Sequence, residues 1–285
     1  MGILEKETKQ IMAENGIHAN KNLGQNFLID DEVVVQIMQK AKISKDDGVI
    51  EIGPGLGTLT KFLLEKAGKV VAIELDKKMV NILNARFKLI SNFELINADV
   101  LKTNLKEIIS NMKANGAKNI KVVANLPYYI TTPIIMKLLE ERLEIECITV
   151  MVQKEVAQRL TAKPGSQYTG AITYSINYYS LPSTIIEVPK TCFIPSPEVD
   201  SSVIQLKILS NPSVQVENEK ELFNLIKVAF MQKRKTLVNS LENGKIATKQ
   251  EIEEALTKLG LDIKIRAEKL TLQNFVDLQK ILVKI

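Results

Sequence analysis

The sequence predicts an α/β protein: a mostly parallel sheet covered by helices on both faces, followed by a small all-helical domain. Short apolar runs recur at 49–52, 70–73, 93–96 and 120–124. Segments of helical periodicity lie between several of them, and strands alternating with helices imply parallel pairing. From residue 217 onward the pattern turns helical and stays so.

Taken in order, Val33, Val34, Ile37, Met38 and Ala41 recur at helical spacing, with Asp30 or Asp31 available as N-cap. A strand at 49–52 leads to a helix at 58–67, a strand at 70–73 to a helix at 77–88. Strands at 93–96 and 120–124 follow, then a helix at 133–141 and a β-rich run at 145–152. Residues 171–179 and 199–206 read as strands, and 191–197 as a proline-punctuated loop. Helices are expected at 219–241, 249–259 and 272–284. Asn211-Pro212-Ser213 is the linker candidate. The reading is an α/β catalytic domain at 1–209 and a helical domain at 210–285, with no internal repeat.

Composition narrows the function. The chain has 285 residues, 45% hydrophobic and 25% charged, with a net charge of +5. That is ordinary for a globular protein and hints only weakly at an anionic partner. Two cysteines, Cys147 and Cys192, argue against a disulfide scaffold and suit a reducing cytoplasm. With one histidine, His18, histidine-rich metal centres and histidine-dependent triads are nearly excluded, and no metal is expected. The first residues carry acids early and form no signal peptide; Lys6 stands where myristoylation needs Ser or Thr. Asn125, Pro127 and Pro133 interrupt the most hydrophobic stretch, so no membrane span is expected.

Four positions carry the chemistry. Gly53 follows the first strand, Glu74 ends the second, Asp99 follows the third and Asn125 the fourth. Their separations, 21, 25 and 26 residues, each match one strand-plus-helix unit. Such residues fall on one edge of a parallel sheet, at the carboxyl ends of its strands, where open α/β sheets bind ligands.

The loop Glu51-Ile52-Gly53-Pro54-Gly55-Leu56-Gly57-Thr58 has Thr58 where a dinucleotide fingerprint wants its last glycine, and no Gly-Lys-Ser/Thr follows. Close backbone approach without a demand for pyrophosphate suits S-adenosylmethionine. Glu74 can accept from both ribose hydroxyls, and Asp99 from an adenine amino group. Asp76 is the rival carboxylate, expected to face solvent. In Asn125-Leu126-Pro127-Tyr128, the Asn125 side-chain oxygen and the Leu126 carbonyl can accept from an exocyclic adenine amine and localise its lone pair. Pro127 fixes the turn and Tyr128 stacks on the base. No general base is required.

With these motifs, Asn22-Leu-Gly-Gln-Asn-Phe-Leu28, Gln153-Lys-Glu-Val-Ala-Gln-Arg-Leu160, Phe193-x-Pro195-x-Pro197-x-Val199, Lys233-Arg-Lys-Thr236 and Arg266-Ala-Glu-Lys-Leu270 make the chain resemble the small-subunit ribosomal RNA adenine N6,N6-dimethyltransferases. The resemblance implies a Rossmann-like methyltransferase sheet with a helical C-terminal domain. It implies that Asn26 and Leu28 join Gly53, Gly55, Glu74, Asp99 and Asn125 around the cofactor, and that Phe193 stacks on the target base opposite Tyr128. The implied substrate is a pair of adjacent adenosines in a hairpin loop near the 3′ end of 16S rRNA, and the implied setting is small-subunit biogenesis. Lys233, Arg234 and Lys235 read either as a solvated helix face or as phosphate contacts. The alternatives are a macrolide-resistance methyltransferase of large-subunit rRNA and a non-catalytic nucleic-acid-binding factor on the same scaffold. A cytoplasmic monomer is expected.

Overall fold

A computed structural model describes residues 2–17, 25–232 and 234–282. His18, the first three residues of the 22–28 motif, Lys233 and the expected helix end at 284 lie outside the described residues. The chain divides into two compact units, one comprising 1–157 and 183–208, the other 158–182 and 209–285. The division at 208/209 lies beside the expected boundary at 209, while residues 158–182 group with the helical unit.

The first unit opens with helix α1 (Ile3–Glu14), strand β1 (Phe27–Leu28) and helix α2 (Asp31–Lys40). Asp30 caps α2 by accepting from the Val33 amide at 3.0 Å. The expected alternation follows as β2 (Asp47–Ile52), α3 (Thr58–Lys66), β3 (Lys69–Glu74), α4 (Lys77–Phe87) and β4 (Phe93–Asn97). Next come α5 (Leu105–Ala114), β5 (Asn119–Asn125), α6 (Thr131–Glu140), β6 (Cys147–Gln153) and α7 (Lys154–Leu160). Helix α8 (Ala171–Tyr179) belongs to the second unit. Strand β7 (Ser180–Val188) leads back to the first unit, completed by β8 (Phe193–Ile194) and β9 (Ser201–Ile208).

Seven strands form one sheet in the order β4-β3-β2-β5-β6-β9-β7. The pairs from β4 to β6 are parallel, and β9 runs antiparallel to β6. Ile52 sits opposite both Ile73 and Ala124, Glu74 opposite Asn97, and Asn125 opposite Met151. The carboxyl ends of these strands thus finish level. Residues of β2 and β3 are almost all buried, as helices on both faces require. At the opposite end, Asp47 and Lys121 pair at 2.9 Å, both buried. Burial opposes ionisation of Asp47, but hydrogen bonds from Lys121, Asn119 and Ser44 outweigh it and hold its carboxyl below the ordinary value.

The second unit holds α8, then α9 (Glu219–Ala229), α10 (Leu237–Asn243), α11 (Lys249–Lys258) and α12 (Leu272–Leu282). Two expectations are corrected here. Residues 171–179 form a helix, not a strand. Six of its nine residues are buried, so its β-branched and aromatic composition shows no polar face and mimics a buried strand. The Gly170 amide donates to the Thr173 hydroxyl at 3.0 Å, and that hydroxyl donates to the Arg159 carbonyl at 2.9 Å, which fixes the first turn. The expected helix at 219–241 is two helices, because Thr236 caps α10 through the Asn239 amide and the Leu237 amide bonds the Ile265 carbonyl at 2.8 Å. Arg234 and Lys235 lie in the connection rather than on a helix face.

Tyr174 centres this unit. It is fully buried, packs edge-on to Phe275 with ring centroids 4.9 Å apart, and brings its hydroxyl within 2.8 Å of the Leu270 carbonyl and 3.1 Å of the Ala267 carbonyl. Tyr174→Phe keeps the packing but takes the hydroxyl donor from the buried Leu270 carbonyl, while the Ala267 carbonyl keeps the Leu270 amide at 3.2 Å. We expect a loss of about 1–3 kcal/mol in stability, read as an earlier urea midpoint with an unchanged slope.

Candidate functional site

The level carboxyl edge of the sheet forms one wall of a cavity of about 730 Å³. The glycine loop between β2 and α3 enters it first. Gly53 and Gly57 both have positive φ, at 65° and 81°. A Cβ on Gly53 would meet nothing within 4 Å, since that position opens onto the cavity, whereas a Cβ on Gly57 would fall 2.5 Å from the Phe87 ring. The first glycine keeps space for a ligand; the last lets the loop press against α4. From behind, the Arg86 guanidinium donates to the Leu56 carbonyl and pairs with Glu7 of α1.

Two buried carboxylates face this loop. Glu74, at the end of β3, accepts from the Gly55 amide at 3.1 Å with one oxygen and from the Asp76 amide at 2.8 Å with the other. Burial raises its carboxyl above the ordinary range, and those two amides oppose the shift. Glu51 accepts from the Thr60 hydroxyl at 2.6 Å through Oε2, while its Oε1, also buried, has no hydrogen-bond partner. Burial, with the Thr60 hydrogen bond opposing it and the charge of Glu74 adding to it, pushes the Glu51 carboxyl up to about 8. Asp99 lines the cavity half-buried, its Oδ1 receiving the Leu101 amide at 2.9 Å.

At the end of β5 the Asn125 amide nitrogen donates to the Asn26 carbonyl at 3.1 Å. This leaves Oδ1 as the acceptor end of the side chain. Leu126 is buried and donates its amide to the Met151 carbonyl at 3.3 Å. The Pro127 carbonyl receives the Ile130 amide at 3.2 Å and the Thr131 hydroxyl at 3.1 Å, which closes the turn at the start of α6. Tyr128 is half-buried with its hydroxyl 3.1 Å from Ser201 Oγ, and burial raises its phenol above the ordinary value.

The cavity brings together Asn26, Leu28, Gly53, Gly55, Glu74 and Asp99, and with them all four residues from Asn125 to Tyr128. Phe193, expected to stack on the target base opposite Tyr128, is the exception. It is 3% exposed, absent from the cavity lining, and buried in the core cluster that holds Leu28 and Val34. Its strand pairs antiparallel with β1, Phe193 opposite Leu28, so it braces the segment that carries Asn26. The reading of Asp76 is corrected: rather than facing solvent it lines the cavity, caps α4 through the Lys78 amide and accepts from Gln25 at 3.1 Å. Glu51, outside the residues expected at the site, also lines the cavity. Its signal is a charged residue inside the otherwise apolar run of β2.

Comparison with known proteins places this geometry. The family model for "Ribosomal RNA adenine dimethylase" matches residues 16–284. The chain belongs to the ribosomal RNA adenine dimethylase family. It is 45% identical over 275 residues to "Ribosomal RNA small subunit methyltransferase A" of Alkaliphilus metalliredigens (strain QYMF), covering 96% of this chain and 95% of that one. Among solved structures, a dimethyladenosine transferase from Plasmodium falciparum superimposes with a TM-score of 0.73 at 28% identity, over 88% of this chain and 95% of that one. The 23S rRNA methyltransferase ErmE, at 23% identity and a TM-score of 0.67, covers 91% of this chain and 100% of its own and shares the fold.

The family is that of S-adenosylmethionine-dependent methyltransferases, and the cavity fits that cofactor. An unpartnered buried carboxylate oxygen suits a cationic ligand, and the open face of Gly53 leaves room for it. Among the described residues, no group of three His, Cys, Asp or Glu could hold a metal ion.

Glu51 gives the ligand-free protein a pH signature. Its carboxyl ionises near 4.5 when unperturbed and near 8 in the folded chain, so between those values the folded state holds a proton that the unfolded state has lost. Its contribution to stability is greatest below about pH 4.5 and is lost as pH rises to about 8. Glu51→Gln removes this slope. In thermal melts of the ligand-free proteins, the variant should gain on the parent steadily from pH 5 to pH 8. A difference that does not change with pH would mean the carboxyl is already ionised.

Proposed function

We propose that this chain uses S-adenosylmethionine to dimethylate N6 of two adjacent adenosines in a hairpin loop near the 3′ end of 16S rRNA, as a cytoplasmic monomer engaged in small-subunit biogenesis. The observation that carries the reading is the Asn125–Asn26 hydrogen bond, which fixes Oδ1 as an acceptor beside Tyr128 in the cavity. The small-subunit assignment draws on the 45% identical relative, whose name specifies that subunit. The likeness to ErmE is one of fold, so it lends the large-subunit alternative no matching support.

In this reading Gly53, Gly55, Glu74, Asp99, Asn26 and Leu28 hold the cofactor, with Glu74 accepting from the ribose and Asp99 from the adenine. The unpartnered oxygen of Glu51 adds an acceptor for the amino-acid ammonium. When bound, S-adenosylmethionine supplies an electrophilic methyl group on a sulfonium centre. The chain's own work is on the substrate amine, whose lone pair is delocalised into the adenine ring. Asn125 Oδ1 and the Leu126 carbonyl accept its two N–H bonds and hold the lone pair out of conjugation. The Tyr128 ring offsets the few kcal/mol needed to unstack the base. The amine becomes acidic once methylated and sheds its proton to water, so no side chain of matched pKa is needed.

Asn125→Ala leaves the Tyr128 ring in place and removes the acceptor. Single-turnover assays with labelled cofactor should show methyl transfer slowed by about 100-fold, the scale of losing one preorganised polar contact, with RNA affinity nearly unchanged. A near parental rate would rule out amine activation by Asn125.

The helical unit is assigned to RNA contact, and the exposed Arg234 and Lys235 in the connection between α9 and α10 fit phosphate recognition better than a helix face would. Arg234→Glu with Lys235→Glu should weaken binding to the small subunit and lessen its dependence on salt, by about one to two in the log–log slope. An unchanged slope in filter-binding titrations would assign the contacts to other lysines.

A further inference from the structure

Residues 127–130 form a turn closed by the Ile130 amide on the Pro127 carbonyl at 3.2 Å, with Tyr128 and Tyr129 at its two central positions. The two rings take different surroundings. Tyr128 is half-buried and anchored through its hydroxyl to Ser201. Tyr129 lines the same cavity, yet 58% of it is exposed. Among the described residues, Tyr129 and Leu75 are the large apolar side chains that both line the cavity and stand exposed. Leu75 directly follows Glu74 at the end of β3, on the side assigned to the cofactor. Tyr129 belongs to the loop assigned to the substrate base.

An exposed ring at the mouth of a nucleic-acid site offers a stacking face to any base, whatever its sequence. When a base leaves its stack for a cavity, the nucleotide next to it loses a stacking partner on that side. A ring one residue away from the one that receives the target base is placed to cover that newly bare face.

We propose that Tyr129 is a stacking subsite for the base adjoining the target adenosine in the RNA strand. The proposal rests on the function assigned above and adds a second contact to it. Where two neighbouring adenosines are modified, Tyr129 holds one at the mouth of the cavity while the other occupies it. The contact is sequence-tolerant, so it contributes affinity and positioning rather than base identity.

The test uses small subunits reconstituted around unmethylated 16S rRNA, with either an intact base or an abasic nucleotide on the 5′ or the 3′ side of a target adenosine. Tyr129→Ala should weaken binding to the intact subunits by about five- to tenfold, the low end for loss of one base–aromatic contact. On subunits carrying the abasic nucleotide at the stacked position it should change affinity less than twofold. Tyr129→Phe should restore the parental affinity, and all forms should bind the cofactor equally in calorimetry. An equal loss on intact and on both abasic subunits, or no loss on intact ones, overturns the subsite while leaving the assigned reaction standing. Failure of the parent enzyme to methylate the intact subunits overturns the assigned function and the subsite with it.

Discussion

Parallel pairing of β2 with β3 on one side and β5 on the other is the constraint from which the site follows. Each parallel strand must return through a crossover, so every strand-to-helix turn falls at the same edge. The register finishes Ile52, Ile73 and Ala124 level with one another. The residues just beyond them, Gly53, Glu74 and Asn125, therefore meet although they are spread over more than seventy positions of chain. No local interaction could hold them together. A slip of one residue in either pairing would carry Glu74 or Asn125 away from the glycine loop and turn its side chain to the other face of the sheet.

The two ends of the same strands treat charge in opposite ways. At the amino end Asp47 and Lys121 are buried together, and the carboxylate is fully engaged by Lys121, Asn119 and Ser44. That arrangement binds nothing further. At the carboxyl end Glu51 and Glu74 line one cavity, and one oxygen of Glu51 has no partner. Burial and the charge of Glu74 raise the proton affinity of Glu51. The contrast separates the structural end of the sheet from the functional one without reference to any relative.

Helix α8 and the brace around Phe193 show how far one chain can serve two ends. Tyr174 fixes the helical unit by packing and by its hydroxyl, while Phe193 anchors β8 in the core and, through β1, the backbone that orients Asn125. In both cases an aromatic residue is committed to the interior. Exposure divides aromatic side chains that seek a ligand from those that hold the scaffold, and it is a property of the folded chain alone.

The sequence by itself determined the strands β2 to β6, the helices α3, α4 and α6, the glycine loop, and the edge on which Glu74, Asp99 and Asn125 stand, because these are set by periodicity and spacing along one chain. It did not disclose α8, whose buried residues erase the polar stripe that marks a helix, nor the break at 230–236, where a contact from Leu237 to the distant Ile265 carbonyl decides. Side-chain fate was decided only by the tertiary structure. Phe193 and Tyr129 are both aromatic residues in or beside sequence motifs, yet one is 3% and the other 58% exposed. Glu51 became a site residue only when β3 brought Glu74 alongside and α3 satisfied one of its oxygens but not the other. Burial and partnership depend on elements remote in sequence, and no local pattern encodes them.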